Sequence, residues 1–331
     1  MKFPLFIKWS ITNECNLRCK HCFLDEYKSS PKINDIKTVI DELAINKIAL
    51  ISFTGGEPFL RDDIFDITEY VVKKGINVHF ATNGILLDDF KIEKLKNLGI
   101  KNFQISIDGS NNDTHDFIRG KGTFNKTIDN VKNLIKSGMQ VILSFTINKL
   151  NYNEIDDFVN LGKSIGVSGV RFELFLPIGN GEKVEDSFSI IDNMYTIRKN
   201  LLKYSDDKFV TLPIFKSQYG CGAGTINCMI NSDLTISPCD LLVSYIRSAK
   251  TIIDSSLRDV WLNDYSFLKW NSNSVDDDFC NSCNHSNMCG KGCKASSYAY
   301  LGSLKKHDPL CLYRKEETYI NQEMREKNVI S

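Results

Sequence analysis

Three cysteines stand within eight residues near the start of the chain, and their spacing could support metal chemistry. They are Cys15, Cys19 and Cys22, in the run Cys-Asn-Leu-Arg-Cys-Lys-His-Cys. Thiolates this close together can hold a soft metal centre, but they are one ligand short of a closed four-thiolate site. A zinc loop completed by His21, or three ordinary thiols, would fit the same spacing. The spacing alone therefore leaves the kind of site open.

The other eight of the eleven cysteines form a second group towards the C-terminus. They are Cys221, Cys228, Cys239, Cys280, Cys283, Cys289, Cys293 and Cys311. Eight thiols suit two four-ligand sites; paired zinc ribbons or disulfides are the structural alternatives. We expect a cytoplasmic protein, because the sequence has no signal peptide and no membrane-length apolar run. Disulfides are rare in that compartment, which favours metal ligation or thiol catalysis.

Short polar turns follow the second, third and fourth predicted strands. They read Thr54-Gly55-Gly56-Glu57-Pro58, Thr82-Asn83-Gly84 and Ser106-Ile107-Asp108-Gly109. Paired glycines allow the backbone to approach a ligand closely, although Gly-Gly-Glu-Pro alone could be a tight strand-to-helix turn. Ligands of α/β folds bind at the carboxyl ends of the strands, which is where all three turns fall.

Alternating strand and helix patterns position these turns. Apolar or β-branched runs predict six strands, at 5–12, 48–54, 77–82, 102–107, 141–148 and 169–176. Helical patterns lie between them, at 34–46, 63–74, 88–97, 124–137 and 152–164. Six βα units in series predict an α/β fold of parallel strands covered by helices, as a barrel or an open doubly wound sheet.

The predicted strands are apolar on one face and polar on the other. Lys8, Ser52, Ser144, Arg171 and Glu173 fall on the polar face. A closed eight-stranded barrel fills its centre with apolar side chains, so a polar lining favours a wet lumen of ligand size. A solvent-exposed sheet face is the alternative, and parallel sheets rarely have one. Arg171 and Glu173 could bind substrate in this lumen or form an internal ion pair.

Composition and charge limit the class of protein. The 331 residues include 41 basic and 41 acidic side chains, a balance that disfavours a general nucleic-acid binder. After about residue 209 the βα alternation stops and the chain becomes rich in cysteine and loops. We therefore predict one domain over 1–207 and a second over 208–331, the latter ending in a charged helix at 313–327.

Together, the first cysteine group and the three turns resemble the radical S-adenosylmethionine enzymes, over about residues 3–180. The resemblance implies a partial (β/α)6 barrel in which Cys15, Cys19 and Cys22 hold a four-iron–four-sulfur cluster. S-adenosylmethionine would bind its open iron and be cleaved by one electron, giving a 5′-deoxyadenosyl radical that takes hydrogen from the substrate. His21 occupies the family's usual aromatic position and is expected to pack beside the cluster.

The resemblance also implies which residues contact S-adenosylmethionine: Gly55, Gly56, Glu57, Asn83, Ser106 and Arg119. The first three would hold the methionine amino group, and Ser106 the ribose. Asn83 lies in the same ring of loops. Arg119 matches a contact to the methionine carboxylate, with a solvated loop charge as the alternative.

The second cysteine group is similar to the SPASM extension of these enzymes, which holds two auxiliary four-iron clusters. By position, the inner cluster would use Cys221, Cys228, Cys239 and Cys293, and the outer cluster Cys280, Cys283, Cys289 and Cys311. Cys228 could instead be a buried free thiol. Leu234 departs from the family, which has glycine there; we expect a neighbouring Asn or Asp to take the left-handed turn position, in a shifted turn.

Asp240 directly follows Cys239 and matches a catalytic base proposed for the sulfatase-maturing branch, although it could be a turn residue. The three ligands of the first cluster and the eight of the auxiliary clusters use all eleven cysteines. No thiol is then left to return a hydrogen atom, as a peptide epimerase of this family would need. This favours a net oxidation whose electrons leave through the auxiliary clusters. We expect oxidative cross-linking of a ribosomal peptide. Formylglycine formation, oxidation of a haem precursor or sugar, and a non-enzymatic zinc scaffold are the alternatives.

The partners implied are a peptide or protein substrate and a flavodoxin- or ferredoxin-type reductant. The sequence begins almost at the first strand, so we expect no fused leader-peptide-binding domain. A ribosomal peptide would then need a separate recognition protein or direct recognition of its core. We expect no nucleic-acid or membrane partner.

Overall fold

A computed structural model describes residues 3–27, 30–213, 220–272 and 274–313. The strands are β1 (Phe6–Thr12), β2 (Leu50–Gly55), β3 (Asn77–Thr82), β4 (Asn102–Ser106), β5 (Gln140–Ile147), β6 (Gly169–Leu174), β7 (Val210–Thr211), β8 (Asn227–Ile230) and β9 (Ile236–Ser237). The first eight α-helices are α1 (Ile33–Ile45), α2 (Ile64–Lys73), α3 (Asp89–Asn97), α4 (Asn112–Arg119), α5 (Thr123–Lys136), α6 (Ile155–Ile165), α7 (Glu185–Phe188) and α8 (Met194–Leu202). The remaining helices are α9 (Leu257–Asn263), α10 (Tyr265–Ser272), α11 (Asp278–Ser282), α12 (Ser286–Cys289) and α13 (Lys294–Leu301).

Short 3-10 turns complete the described secondary structure, at Pro58–Leu60, Tyr152–Glu154, Gly179–Val184 and Ile191–Asn193. The charged helix predicted at 313–327 lies outside the described residues, apart from Tyr313. None of the helices in the described ranges is both long enough and apolar enough to cross a membrane.

Strands β1 to β6 lie side by side in chain order and pair in parallel. A helix follows each of the first five before the next strand begins. All six predicted strands are present, and Asn77–Thr82 matches its prediction at both ends. The predicted α/β architecture, a partial (β/α)6 barrel followed by a cysteine-rich region, is therefore confirmed.

The helices cover the apolar face of the sheet because their apolar residues repeat at helical spacing. In α1, Ile36, Val39, Ile40 and Leu43 are buried on one side. Helix α4 was not predicted, because only Ile118 and His115 are buried in an otherwise polar segment. Asn111 caps its first turn by accepting a hydrogen bond from the Thr114 amide.

The polar face of the sheet curls around an interior space. In a flat sheet, β1 and β6 would be about 24 Å apart, since strand spacings are about 4.8 Å. Burial raises the pKa of Glu173 on β6, yet Lys8 on β1 is close enough to oppose that rise, as Arg171 does. Burial lowers the pKa of His79 on β3 to about 4, and Arg171 on β6 lowers it further. Interactions between strands this far apart in the sheet require the sheet to curve around an interior space, which is the predicted polar lumen.

The sheet continues beyond the predicted domain boundary. Strand β8 pairs in parallel with the free edge of β1, and β9 pairs antiparallel with β8. Helix α8 also reaches the last cysteine, because Arg198 Nε donates to the Cys311 carbonyl at 2.9 Å. The division into 1–207 and 208–331 stays a prediction, and the two regions share one sheet and one hydrophobic core.

The turn between β8 and β9 corrects one expectation. Leu234 itself adopts the left-handed conformation, with φ of 65°, so the expected shift to a neighbouring Asn or Asp is wrong. Its side chain is buried in the core, 7% exposed, which offsets the backbone strain.

Candidate active site

The first cysteine group lies on the loop that leaves β1, and its three thiols are neighbours. Burial raises the pKa of Cys19 to about 12, Arg119 opposes this, and the charges of Cys22 and Cys15 add to it. The Lys20 amide donates to the Ile118 carbonyl at 3.0 Å, which fastens the loop to α4. Clustered thiolates in such a setting need a compensating cation, and a soft metal centre supplies one.

The Gly-Gly turn after β2 packs directly against this loop. The amides of Gly56 and Glu57 donate to the carbonyls of Thr12 and Glu14, both at 2.8 Å. A Cβ on Gly56 would lie 2.1 Å from the Glu14 carbonyl oxygen, and one on Gly55 would lie 2.1 Å from that of Thr12. No side chain fits at either position. The two sequence motifs therefore form a single structural unit.

Glu57 points into the protein. Its carboxylate accepts hydrogen bonds from Thr82 Oγ1 at 2.7 Å, the Asn83 amide at 2.9 Å and the Phe59 amide at 3.1 Å. Burial raises the pKa of Glu57, and these donors oppose the rise. The side chain thus fastens the second turn to the third. A ligand ammonium at this turn would meet backbone carbonyls instead.

The third and fourth turns border the same loop. Asn83 Nδ2 donates to Asn16 Oδ1 at 2.8 Å, which brings Asn83 to the loop of Cys15. Ser106 ends β4 and stands beside Ser144 of β5. All the residues predicted to contact S-adenosylmethionine before residue 107 consequently lie at the carboxyl ends of β2, β3 and β4.

Arg119 belongs to a buried charged group and is not a solvated loop residue. Its Nε lies 2.5 Å from Asp108 Oδ2, and Nη1 donates towards Cys19 Sγ at 3.8 Å. His21 Nε2 is 3.2 Å from the same Asp108 oxygen. Burial acts to raise the pKa of Asp108, but Arg119 and His21 hold it below its usual value.

His21 is neutral at pH 7, because burial lowers its pKa to about 4. Its ring stacks on Phe188 at a centroid distance of 6.3 Å. Asp108 has no accessible surface and joins this group to β5 by accepting from the Thr146 amide at 2.8 Å. The sequence did not identify Asp108 as a site residue, although it lies within one of the polar turns.

Four C-terminal cysteines line one cavity: Cys280, Cys283, Cys289 and Cys311. Burial raises the pKa of Cys280 to about 12, with further contributions from Asp277, Cys311 and Cys289. The structure thus brings together the four thiols predicted for the outer site.

Three of the four thiols predicted for the inner site are neighbours. Burial and Asp308 raise the pKa of Cys293, and Cys221 and Cys239 raise it further. Cys228 differs from them. It lies in β8 opposite Ile7, on the apolar side of the sheet, and burial alone raises its pKa. In the described part of the chain, no three cysteine, histidine or carboxylate side chains already stand in a metal-coordinating arrangement.

The lumen carries charged residues beneath the loops. Lys8 Nζ lies 2.5 Å from Asp240 Oδ2, next to Cys239. Burial acts to lower the pKa of Lys8, but Asp240 raises it well above its usual value. The Glu173 side chain is exposed to solvent in the open lumen. The protein around it still removes part of the water from its carboxylate, and this burial raises its pKa. Lys8 was predicted only as part of the polar face; its spacing on β1 was the available signal.

Comparison with known proteins defines the class. Residues 9–162 match the family model described as the radical SAM superfamily. Residues 9–162 therefore form a radical S-adenosylmethionine domain, as the motifs predicted, and an enzyme domain of this kind contradicts the zinc-scaffold alternative.

Relatives extend the similarity over nearly the whole chain. The AdoMet-dependent heme synthase of Methanosarcina barkeri is 29% identical over 94% of this chain and 97% of its own length. The mycofactocin maturase MftC of Mycolicibacterium smegmatis is 27% identical over 93% of this chain and 83% of its own.

Two solved structures share the fold at 18% identity. The native anSMEcpe with bound AdoMet has a TM-score of 0.79, with 99% of this chain and 100% of that chain covered. Streptococcus suis SuiB bound to its precursor peptide SuiA has a TM-score of 0.76, with 93% and 75% covered. The relatives carry different activities, so they fix the class of chemistry and leave the substrate open.

Proposed function

We propose that the chain is an oxidoreductase that cleaves S-adenosylmethionine at Cys15, Cys19 and Cys22 and oxidises a peptide in the lumen below. The observation that carries this proposal is the packing of the cysteine loop on the Gly-Gly turn at 2.8 Å. It joins the thiols to the strand ends that border the polar lumen. When bound, the cluster and S-adenosylmethionine supply the electron and the hydrogen-abstracting radical.

The protein's own groups hold this site in shape. Arg119 would stabilise the thiolate of Cys19 by donating towards its sulfur, at 3.8 Å, while Asp108 keeps the guanidinium in place. The methionine amino group would meet the backbone of Gly55, Gly56 and Glu57. Asn83 and Ser106 complete the ring around the nucleoside, and Arg119 is the available cation for the methionine carboxylate.

Two auxiliary iron–sulfur clusters would occupy the C-terminal region. The outer site uses Cys280, Cys283, Cys289 and Cys311, and the inner site uses Cys221, Cys239 and Cys293. We place Cys228 in the core as a packing thiol, because it faces away from the other three. That leaves one cysteine unused, but its position in the core makes it unsuitable as a hydrogen donor for epimerisation.

Asp240 is the proposed proton acceptor. Oxidation of a substrate radical releases a proton as well as an electron. Lys8 holds the Asp240 carboxylate at 2.5 Å, beside the thiol of Cys239, so proton and electron acceptors would be adjacent. A peptide substrate is supported by the fold shared with SuiB and anSMEcpe. Cross-linking is our first choice of reaction, and formylglycine formation is the second, because Asp240 suits both.

A haem precursor is a second candidate substrate. The observation in its favour is the heme synthase relative. It is 29% identical to this chain, and the alignment covers 97% of the relative's length.

The test is anaerobic incubation of the reduced, full-length protein with S-adenosylmethionine and candidate substrates. Peptides that stimulate 5′-deoxyadenosine formation and lose two mass units would support cross-linking, and formylglycine would support maturation. Stimulation by iron coproporphyrin III alone would favour the second candidate. If none of them stimulated cleavage, both substrate proposals would fail.

A further inference from the structure

We propose that the lumen binds a carboxylate of the substrate, with the Arg171 guanidinium as its contact. This inference rests on the proposed function, because it assigns the substrate to the lumen. It names Arg171 as a specificity-determining residue and a carboxylate as the group it selects.

Arg171 has an unpartnered guanidinium nitrogen on the inner face of β6. Its Nε is buried and has no hydrogen-bond partner. Within the described residues it forms no ion pair either, since the carboxylate two positions along the strand, Glu173, does not reach it. The internal Arg171–Glu173 ion pair weighed as an alternative in the sequence is therefore absent from this part of the chain. A buried, unpaired donor is costly, so its retention indicates a partner that arrives with a ligand.

The neighbouring cations are already paired, which sets Arg171 apart. Lys8 lies 2.5 Å from Asp240, and Arg119 lies 2.5 Å from Asp108. Besides burial, Arg171 on β6 affects the pKa of His79 on β3, so its guanidinium faces the interior between these strands. Of these three cations in the described residues, Arg171 is the one without an ion pair.

The surroundings fit a singly charged, planar anion. A guanidinium binds a carboxylate through two parallel hydrogen bonds. Ser144 stands beside Arg171 on β5, and Ser106 beside Ser144 on β4, so hydroxyl groups continue the polar wall. Glu173 and Asp240 would repel a more highly charged group such as a phosphate dianion. The four charged residues of the lumen have no net charge: they are Lys8, Arg171, Glu173 and Asp240. Binding of one carboxylate would therefore give the occupied lumen a net charge of only −1.

Two sources could supply this carboxylate: a peptide, or a small molecule with carboxyl side chains. The experiment separates them with matched probes. One pair is an N-acetylated peptide mixture with free C-termini and the same mixture as C-terminal amides. The other pair is coproporphyrin III and its tetra-amide. Equilibrium dialysis against anaerobically reconstituted full-length protein gives the dissociation constants.

The variants are Arg171→Gln and Arg171→Lys, with Arg247→Gln as the control. Arg247 lies far along the chain in an exposed pair with Asp233, with 53% of its side chain accessible. We expect the acid member of one pair to bind at least tenfold more tightly than its amide. Arg171→Gln should abolish that preference, Arg171→Lys should retain part of it, and Arg247→Gln should keep all of it.

Equal binding of acids and amides to the natural protein would overturn the inference, as would a preference that survives Arg171→Gln. Absence of binding by every probe would also count against it. Iron content and thermal unfolding show whether each variant is folded. If Arg171→Gln does not fold, the binding preference of Arg171→Lys is compared with that of the natural protein instead. Cleavage of S-adenosylmethionine by the natural protein is measured in the same preparations. Cleavage without acid preference would refute this inference alone, whereas absence of cleavage would refute the proposed function.

Discussion

Cys228 and Cys239 are both buried, but their surroundings differ in a way that separates ligand from core residue. Cys239 interacts with Asp240, Cys221 and Lys8. Cys228 interacts with no ionisable group and shares its side of the sheet with Ile7. Spacing alone could not distinguish them, because Cys228 lies within β8, where the face that it takes decides its surroundings, whereas Cys239 lies just beyond β9.

We predict that Cys228→Ala keeps the full iron content and loses only about 1 kcal/mol of stability, the cost of a small core deletion. The matched change Cys239→Ala should lower iron by the share of one cluster. Iron and acid-labile sulfide analysis of anaerobically purified protein measures both. Equal iron loss in the two variants would mean that Cys228 is a ligand.

Leu234 shows how a buried side chain can hold an unfavourable backbone. Left-handed φ costs a leucine about 1–2 kcal/mol, and its burial repays a similar amount. Both Leu234→Ala and Leu234→Gly lose that burial, but only glycine also relieves the strain. We predict that the glycine variant is more stable than the alanine variant by about 1 kcal/mol, the reverse of the usual order.

Chemical denaturation of the two Leu234 variants measures this difference. If the alanine variant were the more stable, Leu234 would not occupy the left-handed conformation. The sequence had located the departure from glycine correctly, but it had assigned the strain to a neighbour, because propensity favours Asn and Asp at such positions.

Strands and helices were predicted well where apolar residues repeat regularly, and poorly where a segment is mostly polar. Six strands and their helices followed from apolar spacing, and α4 did not, since its side chains are mostly polar. The turns were recognised as a site, but their contacts were not. Glu57 supports the third turn from within, and the Gly-Gly pair approaches the cysteine loop, which only the folded chain reveals.

We predict that Gly56→Ala removes iron from the first site while the C-terminal sites keep theirs. The added Cβ would fall 2.1 Å from the Glu14 carbonyl oxygen and displace the loop. The control is Gly75→Ala, where φ is 78° but no atom lies within 4 Å. That variant should lose about 1 kcal/mol of stability and no iron. Normal S-adenosylmethionine cleavage by Gly56→Ala would contradict the prediction.

At the scale of the whole molecule, the C-terminal region extends the sheet of the N-terminal region. Strand β8 covers the edge of β1, and Tyr300 Oη donates to the Phe175 carbonyl at 3.1 Å. The composition change after about residue 209 predicted where the cysteine-rich region begins. It could not reveal the shared sheet, because pairing between distant strands leaves no periodic signal.

We predict that a chain ending at Asp207 does not fold on its own. It would expose the edge of β1 and the core surface that β8 and α9 cover, both of which favour aggregation. Size-exclusion chromatography and dye binding test this. A monomeric product with cooperative unfolding would show that the two predicted domains are independent.

Formation of 5′-deoxyadenosine by anaerobic, reduced protein tests the central claim most directly. The natural protein should produce it from S-adenosylmethionine. Replacing Cys15, Cys19 and Cys22 together with alanine should abolish production while the C-terminal iron remains. Production by that variant, or iron-loaded natural protein with no production, would contradict the assignment of the radical site to this loop.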